Sequence, residues 1–120
     1  MGSSSSEARR LPALARIWDE PVVPLDLDKL TEEADAVFLA LPDTAAAELG
    51  PELSARGRRV FDLSGAFRLR DEAARQKWYP HTPSRVDAPL TYGLTEHYRE
   101  QLKDASLVAC PGCYPTAAIL

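Results

Sequence analysis

The sequence predicts an α/β protein built on a doubly wound parallel sheet, and three observations carry that expectation. Residues Ala36–Leu41 (AVFLAL) are apolar without interruption, the pattern of a strand buried on both faces rather than of an amphipathic one. Strand and helix patterns then alternate, which lays successive strands parallel with helices crossing between them. The composition fits a single globular domain: 120 residues, 45% hydrophobic and 27% charged, are enough to bury an ordinary core.

The elements follow in order. Residues 1–11 are polar and serine-rich and show neither helical nor strand periodicity. Val22–Leu25 (VVPL) is a short strand candidate, weakened because Pro24 cannot donate to a sheet ladder. Asp28–Ala34 reads as a surface helix. After the Ala36–Leu41 strand, Pro42 stops the run and Asp43 or Thr44 is placed to cap the next helix. That helix carries AAAELGPELSARG, with Gly57 as its stop and Gly50–Pro51 predicting a kink or restart. A second strand is expected at Arg59–Leu63 and a third at Ser106–Ala109. Between them lie two helices, Asp71–Tyr79 and Thr95–Ala105, the latter with Thr95 placed to cap. Pro80, Pro83, Pro89 and Gly93 mark residues 80–94 as a loop.

Charge and length exclude several classes. The net charge is −4, and the basic spots (Arg9–Arg10, and Arg56, Arg58 and Arg59) lack the aromatic interleaving of a nucleic-acid surface. No apolar run approaches the ~20 residues of a membrane span, and the start MGSSSSEARRL has no apolar signal core. A cytoplasmic protein with reduced cysteines is expected.

In a doubly wound sheet, ligands sit beyond the carboxyl ends of the strands. That rule points to Leu41–Thr44, Ser64–Arg68 and Cys110–Thr116. In the last of these, Pro111–Gly112 turns the chain and Pro115 stands where a helix has its first residue. Cys113 thereby precedes a helix N-terminus, where unpaired N–H groups and the helix dipole favour a thiolate nucleophile. The competing reading is a small buried hydrophobe. The Cys110–Cys113 spacing also admits a metal pair or a redox pair. A metal site wants about four ligands, however, and only His81 and His97 could join. A redox C-x-x-C opens a helix, whereas Cys110 ends a strand. No metal is expected.

Arg68 follows a small Ser-Gly-Ala turn and offers a planar fork suited to phosphate or carboxylate; the alternative is an ordinary ion pair with Asp62 or Asp71. Ser3–Ser6 could hydrogen-bond a phosphate or form a flexible end. His97 reads as a surface residue and His81 as a loop residue.

Taken together, ADAVFLALPDTAAAELGPEL, GRRVFDLSGAFRLRD, KWYPHTP, YGLTEHYRE and LVACPGCYPTAAIL resemble the N-acetyl-gamma-glutamyl-phosphate reductases over roughly residues 22–120. The resemblance implies a Rossmann-type fold and an NADP-dependent reductase acting on a small acyl phosphate in arginine biosynthesis. It implies a homo-oligomer at full length, while the charge pattern and apolar runs above lead to no expected membrane or nucleic-acid partner. It assigns Cys113 as the nucleophile, Leu41, Pro42 and Ser64 to the cofactor, and Arg68 to the substrate phosphate. The N-terminal serines resemble the loop that reaches the cofactor's adenosine phosphate. Residues 1–111 correspond to part of the dinucleotide-binding domain and 112–120 to the start of the substrate domain. Related reductases of amino-adipyl or aspartyl phosphate share the general pattern, and a non-catalytic remnant is the alternative outside enzymes.

Two departures stand out. Cys110 replaces the family's asparagine, so a Cys110–Cys113 disulfide could switch the nucleophile off. The chain also lacks the glycine-rich pyrophosphate turn and the substrate domain with its catalytic histidine, which predicts little activity for this chain alone.

Overall fold

The computed structural model describes residues 2–3, 7–14, 16–18, 20–82 and 90–120, arranged as two compact units, Met1–Glu33 and Ala34–Leu120. Of the serine tetrad, Ser4–Ser6 lie outside the described residues.

In the first unit, β1 (Gly2–Ser3) pairs in parallel with β2 (Val23–Pro24), shorter than the VVPL reading, and Val22 bridges Arg9. A 3₁₀ turn spans Pro12–Leu14. Helix α1 (Leu27–Glu33) starts one residue early because the Asp26 carboxylate accepts from the N–H groups of Asp28 and Lys29, both at 3.1 Å.

The second unit holds the parallel sheet that the alternation predicts. Its strands are β3 (Ala36–Leu39), β4 (Arg59–Asp62), β5 (Leu90–Tyr92) and β6 (Leu107–Ala109), in the order β3-β4-β6-β5. All three pairings are parallel. Register puts Val37, Val60 and Leu107 on one face, with Phe38, Phe61 and Val108 on the other. Helix α2 (Asp43–Ala55) covers the first face through Ala46, Ala47, Gly50 and Leu53. There the Phe67 ring packs against Gly50, so close that a β-carbon on Gly50 would sit 2.9 Å from it.

Four expectations need correction. The Ala36–Leu41 run is not buried on both faces: β3 is a sheet edge, and Phe38 is 66% exposed, stacked on Phe61 at 4.9 Å. The strand buried on both faces is the central β6. Helix α2 runs through Gly50–Pro51 as one helix. Residues 90–92 are the strand β5, not loop, because pairing with β6 supplies hydrogen bonds that a local pattern cannot reveal. Finally, neither Asp43 nor Thr44 caps α2: Pro42 occupies the cap position, with no side-chain cap bond.

Other boundaries follow their local chemistry. Gly57 ends α2 at φ 79°, donating to the Ser54 carbonyl. Helix α3 (Glu72–Trp78) is capped by the Asp71 carboxylate, which accepts from Ala74 N–H at 2.7 Å. Helix α4 (Thr95–Lys103) begins after Leu94 rather than under a Thr95 cap, and its backbone departs from helical geometry at Tyr98. Among the described residues no helix is long and apolar enough to cross a membrane.

Candidate functional site

The three strand-end segments singled out by the topology lie side by side, because β3, β4 and β6 are successive neighbours. Beyond β3, half-buried Leu41 and exposed Pro42 lead into α2. Beyond β4, the buried Asp62 carboxylate organises the turn. It accepts from the Ser64 N–H (3.0 Å) and the Ser64 hydroxyl (2.9 Å), and that hydroxyl accepts from the Ala66 N–H (3.1 Å). Asp62 thus carries out local backbone satisfaction in a place water cannot reach.

Arg68 sits between β4 and β6. Its Nε donates to the Cys110 carbonyl (2.9 Å) and its Nη2 to the Leu63 carbonyl (2.8 Å), so one guanidinium ties the two strand ends together. Its Nη1 lies against Gly112, where an added β-carbon would come within 3.1 Å. Neither anticipated ion pair forms: Asp62 holds Ser64, and Asp71 caps α3.

Helix α5 (Cys113–Ile119) starts at Cys113 itself, with Gly112 as the cap residue and no side-chain cap bond. The Pro115 reading therefore placed the helix start two residues late. Pro115 is the third helical residue, still within the turn whose N–H groups have no intrahelical partner, so its missing donor breaks nothing. The Thr116 hydroxyl and N–H both donate to the Gly112 carbonyl, at 2.9 and 3.1 Å. Cys113 is exposed and Cys110 half-buried; both are free thiols. Burial chiefly, and then the Asp62 charge, push the Cys110 thiol above its ordinary value, while Arg68 pulls it the other way.

Next to these loops opens a cleft of about 640 Å³. Trp78, Tyr79, Tyr92 and Tyr98 line it together with Arg68, Arg70 and Pro115 of α5. Sequence reasoning missed this cleft, since its aromatic residues come from the end of α3 with the Tyr79 that follows it, from β5 and from α4, and share no common spacing. His81 and His97, both exposed, do not line it.

Residues 1–105 match the semialdehyde dehydrogenase NAD-binding domain family. The chain belongs to that family. It is 40% identical to the N-acetyl-gamma-glutamyl-phosphate reductase of Crocosphaera subtropica over 111 residues, 91% of this chain and 32% of the relative. The enzyme of that name from Desulforudis audaxviator is 43% identical over 93% of this chain and 33% of the relative. The one from Brevibacillus brevis is 42% identical over 98% and 36%. The chain spans about a third of the length of these curated relatives. These are the relatives that the PGCYPTA and DLS-x-x-FRL segments point to.

The family's name carries a nicotinamide dinucleotide, and the residues present fit one end of it. The start of α2 after Pro42 carries no side-chain cap bond and lies at the carboxyl end of β3, beside the Ser64 turn that follows the neighbouring β4. A glycine-rich turn for the pyrophosphate is not in this sequence.

Proposed function

We propose that the protein serves the NADP-dependent reduction of N-acetyl-gamma-glutamyl phosphate to the 5-semialdehyde, with Cys113 as nucleophile. The observation that carries this reading is an exposed thiol at the first residue of α5, where the sheet's carboxyl edge meets the Arg68 clamp. The likeness to reductases of that name supplies the substrate.

Cys113 attacks the acyl carbonyl, the C–O bond to phosphate breaks, and a thioester forms on Sγ with inorganic phosphate released. A nicotinamide dinucleotide, when bound, would supply the hydride for reduction of this thioester. The resulting thiohemiacetal expels the Cys113 thiolate and leaves the aldehyde. Leu41, Pro42 and Ser64 would hold the nicotinamide side. Arg68 keeps a cationic Nη1 beside Gly112, next to where the leaving phosphate must pass.

The test is the first half-reaction. Incubation with N-acetyl-glutamyl phosphate should add one acyl group to Cys113, read by intact-mass and peptide mass spectrometry, and Cys113→Ser should abolish it. Stoichiometric acylation, rather than turnover, is the result expected of this chain. Acylation by aspartyl or amino-adipyl phosphate instead would transfer the reading to those substrates, and no acylation by any of them would end it. NADPH should bind more tightly than NADH in a parallel titration.

A further inference from the structure

We infer that the aromatic cleft beside α5 is the site for the non-reacting end of the substrate, an N-acylated amino-acid carboxylate. The assignment rests on the reductase reading. Its starting point is the strand order. Leu41 and Pro42 follow β3 at one edge of the sheet, Tyr92 ends β5 at the other, and Cys113 follows β6 between them. A hydride donor held at the β3 side leaves the β5 side for the acyl chain. None of Leu41, Pro42 and Ser64 lines the cleft, whereas Pro115, two residues beyond Cys113 on the same helix, does.

Size and chemistry agree with that occupant. At about 640 Å³ the cleft lies within the usual range for small-molecule sites, roughly 300–1,000 Å³. Its walls are aromatic: Tyr92 and Tyr98 meet edge to face at 6.3 Å, and Trp78, 66% exposed, lines it with them. Flat rings suit a planar amide, and three phenols can hydrogen-bond its oxygen and nitrogen. The charge inside is net positive. Arg68 and Arg70 face one carboxylate, Asp71, and that carboxylate already accepts from Ala74 N–H. Arg68 has given two donors to backbone carbonyls, so Arg70 is the fork for the ligand carboxylate. Arg70 is exposed and makes one long bond, 3.3 Å, to the Leu90 carbonyl.

The probe is N-acetyl-L-glutamate, which lacks the reactive phosphate, titrated into the ¹⁵N-labelled chain. The two tryptophans give two indole resonances, separated by a Trp78→Phe variant. The Trp78 indole and the Tyr92 amide should shift saturably, and Arg70→Ala should weaken binding about tenfold. Because Arg70 is exposed, its removal should leave the far-ultraviolet circular dichroism unchanged. Binding that leaves Trp78 and Tyr92 unmoved, or that Arg70→Ala does not weaken, overturns the assignment. Acylation of Cys113 without any response at Trp78 would sink the cleft assignment and leave the reductase reading standing. Loss of acylation itself would take both down.

Discussion

The two thiols, three residues apart, are set in different surroundings, and that difference is measurable. Cys113 is exposed, whereas Cys110 is half-buried and pushed upward by burial and by Asp62. Iodoacetamide at pH 8 should therefore modify Cys113 first, with Cys110 catching up only as the pH rises, as peptide mass spectrometry would record. Equal rates at pH 8 would contradict this. The same shift has a sign for stability. A thiol whose folded value lies above its unfolded one contributes stability that is fully present below the unfolded value, and this contribution is lost as pH rises through the folded value. Stability should accordingly fall in the alkaline range, and a Cys110→Ala variant should fall less. Arg68 acts at the same scale. Arg68→Ala leaves the carbonyls of Leu63 and Cys110 without their donor, a loss of about 1–3 kcal/mol. Arg68→Lys cannot span both carbonyls as a fork does, so urea unfolding should place it between Ala and wild type.

Single elements show how far local chemistry decides the fold. Gly57 after α2 was readable from residue type alone, because a glycine at positive φ satisfies a specific backbone need, whereas Asp71, expected as the first residue of its helix, is instead the cap of α3. Asp71→Ala should cost ~1 kcal/mol in thermal or urea unfolding, through the cap bond to Ala74. β5 was not readable. Three residues between Pro89 and Gly93 carry too little pattern, and only the ladder with β6 makes them a strand. Gly93 seals that junction: a β-carbon there would meet Val108 Cγ1 at 3.0 Å, the Ala109 carbonyl at 3.2 Å and Pro111 Cδ at 3.3 Å. Since one neighbour is backbone and another a proline ring, little can give way, and Gly93→Ala should destabilise by ~1–3 kcal/mol. The place of Cys113 at a helix start was legible to within two residues. The guanidinium clamp was not, because its partners are main-chain carbonyls that no residue type announces.

Across the molecule, protection should be graded by how many sides of each strand are covered. β6 has a parallel neighbour on each edge, and all three of its residues are buried. β4 is also flanked on both edges and is buried on its α2 face, with Asp62 fully enclosed. Among the described residues β3 has one neighbour, and it has an exposed face at Phe38. In the other unit, β1 and β2 are two residues each and, among the described residues, pair with one another alone. An amide exchanges slowly when opening it requires breaking buried contacts, and quickly when the strand can fray alone. Native-state hydrogen exchange should thus find the Val108 and Ala109 amides slowest, with those of β4 close behind. The ladder of Gly2–Ser3 with Val23–Pro24 should be nearly unprotected. Leu53→Ala tests the same gradient from the helix side, because Leu53 is 1% exposed on the face of α2 that covers the sheet. Its truncation should cost ~2–5 kcal/mol and speed exchange in β4 and β6 together, since both strands lie under that helix, while leaving β1–β2 unchanged. Equal acceleration in both units would mean that they open as one cooperative body.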